Sequence, residues 1–191
     1  FAAVSCVVLS VSGANAAPIT FTGTDGGTRS ASVAFAVSDP PLLVPLPNTS
    51  TSDVLNPTQV LTAVFFNTPG MTLTPVSATL HSGSTVLFGT TDAGGVVGGE
   101  WAYAAGLSSP ISGDGISSSG LGLFGVSDLF PGTNLEGPAD PDGLQYGITS
   151  AGDSPLTGNA PVTGGNALIQ NSVDFVLSGW TAGADPLDLI S

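Results

Sequence analysis

Glycine and proline interrupt this sequence so often that little of it can form a helix. The 191 residues include 27 Gly and 15 Pro, and Ser and Thr are also abundant. Gly and Pro cost about 1 and about 3 kcal/mol in a helix interior, and Ser and Thr compete for backbone hydrogen bonds. Thr, Ser and Asn can instead face water from a sheet. We therefore predict an all-β fold, namely a single antiparallel β-sandwich or jelly-roll-like domain with long Pro/Gly-rich loops.

The charge balance excludes two classes of partner. Arg29 is the single Lys or Arg residue, against 14 acidic residues, and the formal net charge is -13. Binding to nucleic acid requires clustered Lys and Arg, and binding to an anionic membrane requires a basic face. We therefore expect no nucleic-acid partner and no anionic membrane surface.

Residues 1–16 have the pattern of a signal peptide. Residues 1–13 form an uncharged apolar run, and Ala14-Asn15-Ala16 places small residues at the positions that signal peptidase reads. A buried N-terminal strand is the alternative, because Val7, Leu9 and Val11 alternate with small residues. We expect cleavage after Ala16 and a location outside the cell or on its outer surface. We expect this leader to be incomplete at its start, since it lacks an initiator Met and a basic region.

The remainder, residues 17–191, is predicted to be one surface domain. It contains no cysteine, because Cys6 lies in the leader, so disulfides cannot stabilise it. Alternating segments between turn signals predict strands at 19–24, 30–38, 60–67, 72–80, 84–88, 100–105, 143–149 and 167–179. Asp25-Gly26-Gly27 predicts a hairpin turn. Residues 39–57 contain five prolines and are predicted to form a long surface crossover.

Several segments, in this order along the chain, resemble the exosortase-dependent (PEP-CTERM) surface proteins of Gram-negative bacteria, in particular their XDD group. The segments that carry the resemblance are VLTAVFF (60–66) with TPVSA (74–78), GGEWAY (98–103), GISSSGLG (115–122), PADPDGLQYGIT (138–149) and ALIQNSVDFVLSG (167–179).

The resemblance implies a secreted β-sandwich-like domain followed by a sorting tail that a membrane-embedded exosortase processes. Such a tail comprises a Pro-Glu-Pro motif, an apolar helix and a basic end. The sequence contains no Pro-Glu-Pro, so we expect the tail to lie beyond Ser191. The family is associated with biofilm and exopolysaccharide, and it brings no established enzymatic chemistry to carry over.

The densest group of oxygen ligands is Asp140-Pro141-Asp142-Gly143, with Glu136 just upstream. Calcium binds to carboxylate and carbonyl oxygens, and an Asp-x-Asp-Gly turn can present two carboxylates to one ion. Glu136, Asp140 and Asp142 are therefore a candidate calcium site. The alternative is an ordinary turn, for which Asp-Pro-Asp-Gly is a strong sequence.

Aromatic side chains offer a second candidate function. Trp101, Tyr146 and Trp180 are candidates for stacking on a carbohydrate, while the alternation of Trp101 with Tyr103 favours a place in the core. A glycoside hydrolase would need two carboxyl groups about 5 to 9.5 Å apart, and Glu100 with Glu136 is the sharpest pairing available.

The sequence thus favours a non-enzymatic structural or adhesive protein of the cell surface or extracellular matrix, without a cofactor unless calcium binds. Signal peptidase and exosortase are its expected partners during export, and extracellular polysaccharide or like subunits are candidates afterwards. A calcium-dependent carbohydrate-binding module is the main alternative, followed by a glycoside hydrolase.

Overall fold

A computed structural model describes residues 17–38, 41–108, 112–120, 130, 132–135, 143–181 and 184–185. Within these ranges the regular structure consists of strands and three short 3₁₀ turns, and no helix is long and apolar enough to cross a membrane. The strands are β1 (Ile19–Thr24), β2 (Ser30–Val37), β3 (Leu42–Pro47), β4 (Ala63–Phe66), β5 (Thr74–Leu80), β6 (Thr85–Leu87), β7 (Ala102–Leu107), β8 (Gly113–Ser117), β9 (Thr133–Asn134), β10 (Ile148–Thr149), β11 (Leu168–Gln170) and β12 (Ser172–Ser178). The all-β prediction is confirmed.

One layer is an antiparallel sheet of five strands in the order β1-β2-β3-β12-β5. Its first two strands are the hairpin that the sequence predicts, paired from Ile19↔Phe35 to Thr24↔Ser30. Beyond the last pair, Asp25 donates its main-chain N–H to the Arg29 carbonyl over 3.2 Å. The hairpin leaves β1 at the margin of the layer.

The other layer combines two smaller sheets, in the orders β4-β8-β7-β9 and β10-β11-β6. Leu61 and Ile148 join them, because each donates its main-chain N–H to the carbonyl of the other, over 2.9 and 2.8 Å. The β10–β11 pair is parallel, whereas the other pairs of this layer are antiparallel. The result is a second, interrupted sheet opposite the first.

The core lies between these layers. Leu42, Val44 and Leu46 of β3 and Val173, Phe175 and Leu177 of β12 are at most 2% exposed. Rings meet across the layers: Phe35 of β2 lies 5.1 Å from Phe66 of β4, and Phe175 lies 4.9 Å from Trp101, centroid to centroid. Burial of apolar surface between two sheets is the main stabilising contribution in a sandwich.

The segment 167–179 forms two strands rather than the single strand that we predicted. Asn171, with a φ of 92°, separates β11 in one layer from β12 in the other. Asn is among the few residues besides Gly that enter the left-handed region at modest cost. The chain thus turns a corner at Asn171, and the alternation of Val173, Phe175 and Leu177 toward the core is confirmed for β12.

The prediction that residues 39–57 form a crossover is wrong for Leu42–Pro47, which is a central strand. Leu42, Val44 and Leu46 point into the core, while Pro45 and Pro47 point away from it. β12 pairs along β3 from Leu42 to Pro47, whereas β2 pairs only with Leu42 and Leu43. We infer that the missing N–H groups of the prolines face the β2 side, where the ladder is interrupted between Leu43 and Asn48.

Candidate binding groove

The three residues of the predicted calcium loop, Glu136, Asp140 and Asp142, lie outside the described residues, as does the predicted leader 1–16. The structure therefore bears on neither prediction.

The aromatic residues predicted to bind carbohydrate lie mainly in the core. Trp101 is fully buried and Trp180 is 3% exposed, so neither ring has a free face on which a sugar can stack. Trp180 donates its indole N–H to the Ala184 carbonyl over 3.1 Å. Tyr146 is half-buried, and its hydroxyl donates to the Thr90 carbonyl over 2.7 Å. For Trp101 and Trp180 the carbohydrate prediction is corrected to a packing role.

A groove runs beneath the β1–β2 hairpin, between the hairpin and the chain that leads into β4. It consists of two adjoining hollows of about 240 and 250 Å³, which share Gly23, Ala31 and Leu61. Phe21 and Val64 line one hollow, while polar residues that include Arg29 line the other. We call it the hairpin groove.

An ion pair closes the polar end of the hairpin groove. Arg29 donates from Nε to Asp25 Oδ2 over 2.6 Å and from Nη1 to the Thr58 carbonyl over 3.1 Å. The hydrogen bond from Arg29, with a further one from the Gly27 N–H, lowers the pKa of Asp25 from 3.8 to about 2. Arg29 thus holds its own turn and connects it to the 3₁₀ turn Pro57–Gln59.

The outer edge of β1 is open in the part of the chain that the structure describes. Among the described strands, β1 has a neighbour only on its β2 side. At the opposite margin of the same sheet, β5 is partly covered, because Leu80 donates its N–H to the Gly95 carbonyl and Ala78 accepts from the Val97 N–H, both over 2.9 Å. An open edge presents unpaired N–H and C=O groups, and proteins usually protect such edges with Lys or Pro. β1 contains neither.

The hairpin is also electrically neutral, unlike the chain as a whole. Residues 17–38 contain Asp25 and Arg29 as their only charged side chains, so their formal charge is zero, whereas the whole chain carries -13. Phe21, at 38% exposure, covers part of the adjoining hollow and contacts the edge of the buried Phe35 ring at 6.1 Å between centroids. An open strand, a neutral surface and a partly exposed ring therefore lie together.

Other ionisable side chains of the described residues hold turns and loops. His81 Nδ1 lies 2.9 Å from both carboxylate oxygens of Asp174. Asp114 accepts hydrogen bonds from the Gly106 N–H, over 3.1 Å, and from the Thr68 hydroxyl. These contacts fix the positions of neighbouring segments, which is a structural use of the carboxylates.

Sequence reasoning missed the hairpin groove because its walls come from segments that are distant in the sequence. One signal was available: Arg29 is the single basic side chain other than His81, and it follows Asp25 by four residues across a predicted turn. Such spacing places the two side chains on one tight turn, where they can pair.

Comparisons with protein-family models, with curated proteins and with solved structures give no match to this chain.

Proposed function

We propose that the chain is an exported, non-enzymatic structural or adhesive protein of the bacterial cell surface, and that it assembles with like subunits through the open edge of β1. The observation that carries the proposal is the coincidence, within the described residues, of an unprotected edge strand with the neutral hairpin of an acidic protein. Two copies that each carry -13 repel one another, and the neutral hairpin does not add to this repulsion.

Addition of a strand at β1 would satisfy the main-chain groups that its edge leaves unpaired. In β-strand addition the backbone hydrogen bonds provide affinity, and pockets for alternate side chains provide specificity. The hairpin groove lies directly beneath β1 and is large enough to receive side chains from an added strand. The β1 strand of a second copy would meet both requirements.

Export is the part of the proposal that rests on sequence. The apolar leader ends in Ala14-Asn15-Ala16, and the domain after it is free of cysteine. The order of segments that resembles exosortase-dependent proteins favours a place on the surface of a Gram-negative cell, within a matrix that contains extracellular polysaccharide. Signal peptidase, and exosortase if a sorting tail follows, would act on the precursor.

Sedimentation of the full chain tests the assembly. We expect a concentration-dependent dimer or larger species, and we expect Phe21→Lys to weaken association about tenfold or more by placing charges against one another at the edge. Val76→Lys is the matched control, because Val76 lies on β5 at the other margin of the sheet and is 48% exposed. Equal weakening by both variants would point to a general charge effect and would contradict the proposal.

Fractionation of the producing cells tests export. We expect the protein in the medium or on the outer surface, accessible to added protease, with Ala17 as its first residue. A cytoplasmic protein that retains residues 1–16 would contradict this part of the proposal without affecting the assembly experiment.

A further inference from the structure

Two carboxylates that are distant in the sequence meet at one end of the sandwich. Asp53 lies in the loop after β3, and Asp153 lies in the loop after β10. Asp153 Oδ1 accepts from the Val54 N–H over 3.0 Å, and Asp53 Oδ1 accepts from the Ser154 N–H over 2.8 Å. Each carboxylate therefore binds the main chain next to the other, and this exchange holds the two side chains together.

The buried side of this pair contains oxygens without a hydrogen-bond partner. Asp153 is 6% exposed, and its Oδ2 has no partner among the described residues. Thr149 of β10 is fully buried, and its hydroxyl lies beside the Asp153 carboxyl without reaching the geometry of a full hydrogen bond to it. Buried polar atoms are rarely left unsatisfied in native proteins, so each such atom requires an explanation.

The exchange of hydrogen bonds holds two acidic side chains side by side. Two neighbouring carboxylates destabilise one another unless a cation or a proton lies between them.

The protein itself supplies no such cation. Arg29, the single Lys or Arg residue, is bound to Asp25 and to the Thr58 carbonyl. His81, the single histidine, is bound to Asp174. A cation between the two carboxylates would therefore come from the solvent.

We propose that Asp53 and Asp153, with the Thr149 hydroxyl, bind one divalent cation, and that this cation is calcium. The donors are all oxygens, which favours a hard cation over zinc or copper. The described residues contain no group of three His, Cys, Asp or Glu side chains, so the remaining ligands would be backbone carbonyls and water. Calcium accepts such mixed, irregular shells of about six to eight oxygens more readily than magnesium does.

The two loops that carry the carboxylates also contact one another. The Ser52 carbonyl accepts from the Ser150 hydroxyl over 2.8 Å, which brings the two loops into contact. A Cβ on Gly152 would lie only 3.2 Å from the Thr51 carbonyl oxygen, so the main chains also approach closely there. A bound ion would therefore connect residues 51–54 to residues 150–154 and stabilise this end of the sandwich.

Thermal unfolding and calorimetric titration of the full chain with CaCl₂, after dialysis against EDTA, test the proposal. We expect a dissociation constant on the order of 0.1 to 1 mM, as for extracellular calcium sites. At 10 mM calcium the Tm should rise by about 5 °C, and equimolar MgCl₂ should have a much smaller effect. Absence of any calcium effect would overturn the proposal.

Two isosteric variants locate the site. Asp53→Asn and Asp153→Asn should each abolish the calcium effect. In EDTA, Asp153→Asn should have a higher Tm than the wild type, because the substitution removes the repulsion between the two carboxylates. In calcium this advantage should disappear, because the bound ion neutralises the same repulsion in the wild type. Asp92→Asn removes one acidic charge elsewhere and should keep the full calcium effect.

Loss of the effect in Asp140→Asn but not in Asp53→Asn would place the ion in the 136–142 loop and overturn the proposal. A wild-type Tm that ignores calcium but rises as the pH falls from 7.5 to 5 would show a shared proton instead.

Discussion

The side-chain amide of Asn48 donates a hydrogen bond to the carbonyl oxygen of Ile148 over 2.9 Å, from the end of β3 in one layer to β10 in the other. The same amide reaches the Gln59 carbonyl at 3.3 Å, and its oxygen accepts from the Ser50 N–H at 3.1 Å. Asn48 is 4% exposed, so these bonds are shielded from water. One buried amide thus connects both layers and a loop beside the hairpin groove.

Replacement of Asn48 by Ala should destabilise the protein by about 2 kcal/mol, because buried groups lose their partners without gaining water. Chemical denaturation measures this change. The neighbouring Thr49 is exposed, and Thr49→Ala should change the free energy of unfolding by less than about 0.5 kcal/mol. Similar losses for the two variants would contradict the role of Asn48.

The contact between Phe175 and Trp101 predicts a larger effect. Phe175 is fully buried and its ring lies 4.9 Å from the Trp101 ring, so Phe175→Ala should cost about 3 to 5 kcal/mol through lost burial and the cavity that remains. Leu156 is 87% exposed, and Leu156→Ala provides the control with little expected change. Urea unfolding measures the free energy of unfolding of both variants. A loss for Phe175→Ala as small as that for Leu156→Ala would show that the core is loosely packed around Phe175.

The Asp25–Arg29 pair predicts a measurable pKa. Asp25 should titrate at about 2, and Arg29→Gln should return its pKa toward 3.8. Because the pKa is lower in the folded state, the stabilisation is present above the ordinary value and is lost as the pH falls through about 2. NMR titration of the Asp25 carboxyl measures the shift, and a pKa unaffected by Arg29→Gln would show that the pair does not form in solution.

Tyr103 predicts a sensitivity to alkali. Burial, with the negative charge of Asp114 nearby, raises the pKa of the Tyr103 hydroxyl well above its ordinary value of 10.0. The unfolded chain ionises more easily than the folded one, so stability is present below pH 10 and declines as the pH rises beyond it. Urea unfolding from pH 8 to 11 should show this decline, and Tyr103→Phe should reduce it. An equal decline in both proteins would exclude Tyr103 as its source.

The parts of the fold that sequence predicts well are those controlled by local patterns. Alternation of large and small side chains identifies β2 and β12, and Asp25-Gly26-Gly27 identifies the turn between β1 and β2. The strand β3 was not predicted, because prolines such as those it contains normally exclude a central strand. Only the register shows that pairing with β2 is interrupted between Leu43 and Asn48, which leaves room for them.

The candidate sites depend on contacts that sequence does not encode locally. Asp53 and Asp153 are separated by about a hundred residues, and each looks like an ordinary loop acid. Trp180 shows the opposite case, a residue that sequence offers as a binding residue and that the structure buries. An aromatic residue next to a glycine can be exposed or buried, and only tertiary packing decides which. The hairpin groove likewise exists only when the two layers are assembled.

Cysteine cross-linking at the β1 edge tests the central claim most directly. In a Cys6→Ser background, Thr20→Cys and Thr22→Cys place a thiol on exposed positions of β1, and Val76→Cys places one on β5. Opposite residues in paired strands have Cβ atoms about 4.5 to 5.5 Å apart, which is close to disulfide geometry. We predict that mild oxidation converts at least one β1 variant to a covalent dimer much faster than the Val76→Cys chain. Cross-linking of the β1 variants no faster than that of Val76→Cys would contradict assembly through this edge.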